Sequence, residues 1–361
     1  MLTVVLEGGL GNRMRVAAAA AAMAEHLNSP VRCLWMEQWG MRCRFDTLFQ
    51  PPTVKSLPPT GGVGEGPSMV NGKRLFQLRD TTCLESILLA RPQPRNLHLP
   101  RLIQRLIYKD VIFSEKVMPM RIDGFDFLGW ARGGGNRVIH AYRDFYRWDP
   151  ALLSRLFVPQ PSIQNLIDDR CVNYSPHTIG VHIRRTDNQE SINESPLELF
   201  EEKIDSQIAL HADTRIYLAT DDEPTKAHMS ERYGQRIITS HAKADRESTE
   251  GIVEGLVEMY ALSRTDIIYG SAGSTFSEMA AAIGNKPFEV VRRSNAGDYE
   301  SGLWTLPPCQ AEKSLNRKIS LWLLNYQNHP IQLSPHRGGS PPGGFAWSGL
   351  MPCAASLCCL W

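Results

Sequence analysis

No stretch of the chain approaches the roughly 20 consecutive apolar residues that span a bilayer, so no transmembrane helix is expected. Neither sign of charge is in surplus: 39 Lys and Arg face 38 Asp and Glu, a formal net charge of +1. A chain so balanced has no global field to recruit nucleic acid or an acidic membrane. Cysteines are present at Cys33, Cys43, Cys83, Cys171, Cys309, Cys353, Cys358 and Cys359, but no Cys-x-x-Cys pair and no compact disulfide framework emerges from their spacing. The opening residues Met1-Leu2-Thr3-Val4-Val5-Leu6-Glu7 lack a basic start and a cleavage site. No export signal is therefore expected; the thiols are read as reduced and the protein as cytoplasmic. Cys358-Cys359-Leu360-Trp361 has the outline of a prenylation box, but Trp is not its usual last residue. His-Glu-x-x-His is absent, as is a second acidic cluster to complete a metal shell, so no metal is expected. Internal repeats are absent too.

What is present is a globular composition, with 42% hydrophobic and 21% charged residues, in a chain of 361 residues. That length suffices for two domains with real cores. Residues 2–7 read as a strand, Gly8-Gly9-Leu10-Gly11-Asn12 as a tight turn, the alanine-rich residues 13–27 as a helix and residues 31–36 as a strand. This is the opening of a Rossmann-like half. Phe45 to Phe49 looks locally packed, residues 51–67 carry many Pro and Gly and read as loop, and residues 99–108 form an amphipathic helix. Residues 138–142 read as a strand, and residues 150–157 and 162–169 as helices with Pro159 and Pro161 between them. Asp149 is placed to cap the first of these and Pro150 suits its first turn.

Beyond the two prolines strand and helix alternate clearly. Strands are expected over residues 178–183, 215–219, 236–239, 266–269 and 287–291. Helices are expected over residues 196–210, 224–233, 248–263 and 275–283. In the third helix Ile252, Val253, Leu256, Met259 and Tyr260 recur at helical spacing. Such repeated units imply a second doubly wound domain. Residues 315–326 read as one more amphipathic helix, and the Gly- and Pro-rich residues beyond as a disordered tail.

Three loops at strand ends carry ligand chemistry. The first ends Ile179-Gly180-Val181-His182-Ile183-Arg184-Arg185-Thr186-Asp187, an apolar strand that turns sharply polar. Open α/β sheets bind ligands outside the carboxyl ends of their strands, and adjacent arginines there call for an anion, best a phosphate. The second is Ser271-Ala272-Gly273-Ser274, where Thr275-x-x-Glu278 has capping-box spacing and marks a helix start suited to phosphate. The third is Thr220-Asp221-Asp222, open to a metal, a ribose or a helix cap. Capping by Asp222 ahead of Glu223-Pro224 is the most economical of these. The turn Gly8–Gly11 permits close backbone approach to a ligand. As a dinucleotide fingerprint it fails at Met14, though Glu37 is placed to suit a ribose.

These motifs together resemble the fucosyltransferase superfamily of GT-B architecture. The matching residues are Gly9-Leu10-Gly11-Asn12, Val181 to Asp187, Leu218-Ala219-Thr220-Asp221-Asp222, and Leu262 to Asp266 followed by Ser274. The resemblance implies an α/β fold with two Rossmann-like doubly wound domains facing each other across a cleft. Residues 1–157 would form the acceptor-side domain with the glycine loop and residues 158–305 the GDP-sugar domain. A C-terminal helix over residues 306–330 and the tail of residues 331–361 would follow.

It further implies an inverting, metal-independent transfer of fucose from GDP-fucose to a glycan or other hydroxyl acceptor, with no cofactor. Arg184 would grip the β-phosphate with Arg185 beside it, and His182 would approach the guanine. Glu258 would pair with guanine N1 and N2, and Arg246 would reach the ribose and phosphate. Ser274 and the N–H groups around it, Thr275 included, would hold the diphosphate, with Gly9, Gly11 and Asn12 closing from the other domain. Asp221 completes the donor set. The chain departs from the core α-1,6 enzymes after Asp187: Asn188 replaces a Lys, and the Glu proposed as base is out of register. Glu190 is the first choice of general base, with Glu194 and Asp187 next. Two rivals are an NAD(P)-dependent Rossmann oxidoreductase, resting on the glycine turn, and a catalytically silent sugar-nucleotide or glycan-binding protein.

Overall fold

The computed structural model describes residues 1–293, except 28, 39, 53–68, 71–72, 75, 94–95, 187, 241 and 243–244. The expected helix over residues 315–326, the tail, four of the cysteines, Asp187 and nearly all of the loop over residues 51–67 lie outside the described residues.

In chain order the first half contains β1 (Leu2–Leu6), α1 (Leu10–Leu27), β2 (Val31–Trp35), α2 (Phe45–Leu48), β3 (Met69–Val70), β4 (Lys73–Arg74) and β5 (Phe76–Asp80). There follow α3 (Cys83–Leu88), α4 (Leu99–Ile107), β6 (Asp110–Ile112), α5 (Ser114–Ile122), α6 (Phe127–Arg132), β7 (Arg137–Ala141) and α7 (Ala151–Leu156). The second half contains α8 (Pro161–Cys171), β8 (Thr178–Ile183), α9 (Gln189–Glu194), α10 (Leu197–Leu210), β9 (Arg215–Thr220) and α11 (Glu223–Tyr233). It ends with β10 (Ile237–Thr239), α12 (Thr249–Leu262), β11 (Ile268–Ser271), α13 (Thr275–Gly284) and β12 (Phe288–Val291). None of the described helices is long and apolar enough to cross a membrane.

Two five-stranded parallel sheets result, ordered β5-β2-β1-β7-β6 and β10-β9-β8-β11-β12. The central strands β1 and β8 are buried at every position, which is why they appear in the sequence as unbroken apolar runs. Each sheet reverses direction of growth beside its central strand, between β1 and β7 and between β8 and β11. At such a switch point the flanking loops diverge and leave a crevice for ligands.

The two halves share a core within one compact unit, Met1–Leu306. The alanine run of α1 is buried, and α1 packs on α7 and on α13 of the second half. Gly11 stands at that crossing: a Cβ there would lie 3.2 Å from Met279 Cγ and 3.5 Å from the Thr275 carbonyl oxygen. Its smallness serves helix approach, whereas Gly9 faces open space. Replacing Gly11 by valine is expected to lower stability by about 1–3 kcal/mol in the absence of any ligand, as overpacking does elsewhere. Chemical denaturation checks this; an unchanged midpoint would mean that Met279 moves aside freely. At the segment joining the halves, Val158 accepts the Gln50 N–H at 2.8 Å, the Gln160 N–H reaches Leu48 O at 3.0 Å, and Tyr260 donates to the Phe157 carbonyl.

Candidate active site

At the carboxyl end of β8 the register sets His182 opposite Ala219 of β9 and Gly270 of β11. Small neighbours leave room for a ring. The imidazole is buried and stacked on Phe276, with centroids 4.8 Å apart, and its Nδ1 lies 3.5 Å from Ser274 Oγ. Burial first, then the cations of Arg184 and Arg246, pull its pKa down to about 3 against the opposing charge of Asp221. The ring is therefore a neutral group facing a concentration of positive charge.

Two neighbouring strand ends clamp the loop that follows. Asp221 accepts the Arg185 N–H at 2.8 Å and the Thr186 hydroxyl at 2.7 Å, with Arg184 Nε at 3.7 Å. Burial works against the Asp221 charge, but Thr186, the Arg185 N–H and the Arg184 cation outweigh it and hold its pKa below the ordinary value. On the other side Ser271 Oγ accepts the Arg184 N–H at 3.0 Å and donates to His182 O at 3.3 Å. Arg185 Nη1 donates to Ile192 O at 3.3 Å. Asp222 caps α11, accepting the Thr225 N–H at 2.9 Å, as its position before Glu223-Pro224 indicates. Both adjacent aspartates are thus engaged with the protein itself.

Helix α13 starts where expected, but its capping box does not form. The N-cap is Ser274, not Thr275, its side chain makes no capping hydrogen bond, and Glu278 is buried. The spacing is right and the direction wrong: Glu278 faces the packed side of α13. Ser274 is also buried and turns toward His182. Thr275, partly buried, touches α1 at Gly11.

The short helix α9 is absent from the reading of the sequence. Asn188 caps it, accepting the Ser191 N–H at 3.3 Å, and donates Nδ2 to Gly273 O at 3.2 Å. Ser191 Oγ donates to Ala272 O at 2.6 Å, and Ser195 Oγ accepts the Ala272 N–H at 2.8 Å. The helix is stitched to the turn before α13 and lays Glu190 over Gly273, where a Cβ would meet Oε2 at 2.6 Å. Gly273, at φ +66°, has the backbone conformation that favours glycine. The Glu190 residue is exposed. Glu194 instead pairs with Arg292 at 3.4 Å.

Glu258 projects from α12, only partly exposed. Burial, then the negative charge of Glu254, push its pKa up to about 7 despite Arg170 and Lys226. Arg170 is taken by Glu254 at 2.8 Å, and Lys226 by Glu223 at 2.8 Å. Arg246, in the loop before α12, is exposed and acts electrostatically on His182. The same loop touches the first half: Glu247 accepts the Gly40 N–H at 2.7 Å and pairs with Arg42 at 2.9 Å.

On the first half Gly8 takes φ +79°, and Arg13 holds the turn by donating to Gly8 O at 2.8 Å and Met36 O at 2.7 Å. Its guanidinium lies 5.0 Å from the Trp35 ring centroid, at the carboxyl ends of β1 and β2. Burial lowers its pKa to about 9 against the charges of Glu7 and Asp80. Asn12 Oδ1 accepts from Arg15 at 2.8 Å, and Arg15 also reaches Tyr142 O at 3.0 Å. At the switch point, His140 lies between Glu7 Oε1, 3.1 Å from Nδ1, and Gln104 Oε1, 2.9 Å from Nε2. Neither Arg15 nor His140 belongs to a recognisable motif, and Arg13 stands out in the sequence only as a polar residue beside the glycine turn. A visible signal was the pair of arginines at the head of an otherwise apolar, alanine-rich helix.

The structure thus gathers His182, Arg184, Asp221, Arg246 and Ser274 around the end of β8, with Glu190 on the rim of the same turn. It places Glu258 within electrostatic reach of Asp221. No protein-family model matches the chain, and no curated protein sequence resembles it. Solved structures do resemble it. NodZ α-1,6-fucosyltransferase soaked with GDP-fucose superposes with a TM-score of 0.53 at 15% identity, over 82% of this chain and 97% of that one. A selenomethionine form of NodZ from Bradyrhizobium gives 0.53 at 17% identity, over 82% and 96%. A variant of Arabidopsis thaliana FUT1 in complex with GDP gives 0.50 at 15% identity, over 81% and 70%. At these identities the likeness is one of architecture, and on that level the chain has the two-sheet GT-B fold of the fucosyltransferases.

Proposed function

We propose that the protein transfers fucose from GDP-fucose to a hydroxyl acceptor, with inversion and without a metal. The observation that carries this reading is the pair of cations beside His182 at the β8–β11 switch point, Arg184 and Arg246, next to the start of α13, whose N-cap Ser274 makes no capping hydrogen bond. Such a set suits a diphosphate. The acceptor oxygen attacks C1 of the sugar, the bond from C1 to the β-phosphate oxygen breaks, and GDP departs with added charge. Donors fixed in advance offset that charge, which is commonly the largest catalytic contribution. Arg184 is ready for this because Asp221 and Ser271 already hold its loop. The general base we assign is Glu190, exposed beside the Gly273–Ser274 turn, since Glu194 is committed to Arg292. The acceptor loses its proton to that carboxylate as the new bond forms.

The engagement of Asp221 and Asp222 within the protein supports independence from metal. Activity is expected to survive excess EDTA; loss in chelator with recovery on adding Mn²⁺ would reassign both aspartates as ligands. Release of GDP from GDP-fucose is the direct test of the whole reading. GDP binding without such release would leave a silent binder, and fluorescence titration with NAD would expose a dehydrogenase.

Glu258 gives the reading a pH signature. Guanine offers N–H donors at N1 and N2, and a carboxylate must be ionised to accept both. In the free protein Glu258 ionises only near pH 7. Binding guanine therefore expels a proton below that pH, and affinity falls as pH falls, by up to about tenfold per unit. Calorimetric titration with GDP between about pH 5.5 and 8 should show this in the wild-type protein and lose it in Glu258→Gln. Phosphate protonation is common to both proteins, so identical profiles would remove Glu258 from the guanine site.

A further inference from the structure

Helix α4 faces the wrong way for an ordinary surface helix. Its apolar residues Leu99, Leu102, Ile103, Leu106 and Ile107 fall on one stripe, which normally turns to the core. Here Leu99 is 50%, Leu102 58%, Leu106 78% and Ile107 52% exposed, while Pro100 and Gln104 are buried. The cause is the buried polar contact beneath. Gln104 donates Nε2 to Leu88 O at 2.9 Å and offers Oε1 to His140 at 2.9 Å, so the polar side of α4 must look inward. An exposed apolar stripe on a folded surface marks a contact with something else.

Charge narrows what that something is. From Arg91 to Lys109 the sequence carries Arg91, Arg95, Arg101, Arg105 and Lys109 and no Asp or Glu. Arg105 and Lys109 are exposed, Lys109 with its ammonium on Gly133 O at 2.8 Å, whereas Arg101 is taken by Glu115 at 2.8 Å. Asp110, the next acid in the chain, receives Trp130 Nε1 at 2.7 Å and lies 3.5 Å from Arg137. A leucine stripe bordered by cations matches an anionic bilayer surface, with apolar side chains at the headgroup boundary and cations among the headgroups. A second copy fits poorly, because a two-fold contact would gather the cations of both copies at one interface, and α4 carries no acid to answer them. We propose that the exposed face of α4 docks the protein peripherally on an anionic lipid surface. The balanced net charge does not oppose this, since the attraction is local and fades within a Debye length.

The test is co-sedimentation of the full chain with vesicles of phosphatidylcholine alone and with about 30% phosphatidylserine. At least about tenfold more protein is expected on the anionic vesicles, with most of it released by about 0.5 M salt. Leu102→Glu with Leu106→Glu should lower binding about tenfold and leave the melting temperature near wild type, both side chains being exposed. Arg105→Glu with Lys109→Glu tests the same face should the leucine variant misfold. Leu210→Glu, at an exposed leucine on α10, is the control and should bind like wild type. No preference for anionic vesicles, or an equal loss in the control, overturns the proposal. So does self-association without lipid that the leucine variant abolishes, which would give the face to a second copy.

Discussion

Replacing Arg184 by lysine is expected to lower the turnover of GDP-fucose by about 10²-fold or more, with the fold intact. Lysine keeps the charge and loses the planar two-pronged geometry that matches a phosphate. Loss of one donor aimed at developing charge costs about this much in other enzymes. The backbone of the loop stays clamped in the variant, because Asp221 holds the N–H of Arg185 and Ser271 that of residue 184. The effect should therefore fall on kcat more than on GDP affinity. Single-turnover kinetics with GDP-fucose decide the matter, and a lysine variant near the wild-type rate would remove Arg184 from the phosphate site. Asp221→Asn is the informative companion: it leaves Arg184 in place but loosens the loop, so GDP affinity and rate should fall together.

The second large effect is expected at the switch point of the first sheet, on stability. His140 is buried between Glu7 and Gln104, and Gln104 is oriented by donating its amide to Leu88 O. Both ring nitrogens therefore lie against side-chain oxygens. Burial works against the Glu7 charge, but the hydrogen bond and charge of His140 outweigh it, and the Glu7 pKa lies below its ordinary 4.5. Removing one member strands the other, so His140→Leu should cost about 3 kcal/mol or more, and a double variant with Glu7→Leu should recover much of it. The sign of the pH dependence follows from the lowered Glu7 value. Its contribution is full above the unfolded value and is lost as pH falls through the folded one. Denaturant titrations of wild type and His140→Leu at neutral and acid pH measure both. A single variant within about 0.5 kcal/mol of wild type would show the pair to be incidental.

Much of the second half was legible because parallel strands buried on both faces leave unbroken apolar runs, as in Thr178–Ile183. The polar loop after β8 and the cap at Asp222 were legible for a related reason: each rests on neighbours in sequence. Helix α9 was missed, being six residues long and held by serine contacts to the Ala272 backbone, about 80 positions away. The spacing Thr275-x-x-Glu278 indicated a helix start correctly but not the inward turn of Glu278, which depends on how α13 packs.

By itself, then, the sequence determined the alternation of strands and helices, the switch from apolar to cationic at the end of β8 and the small residues where α1 begins. These are consequences of local spacing and side-chain chemistry. The tertiary structure alone decided which distant groups meet. Glu7 reaches His140 across 133 positions because β1 and β7 are neighbours. Asp221 meets the arginine loop because β9 flanks β8, and Gly11 meets Met279 because the halves share a core. It also decided which side of α4 faces out: periodicity defines a stripe but not its direction, and here a buried amide bound to His140 turned the leucines toward solvent.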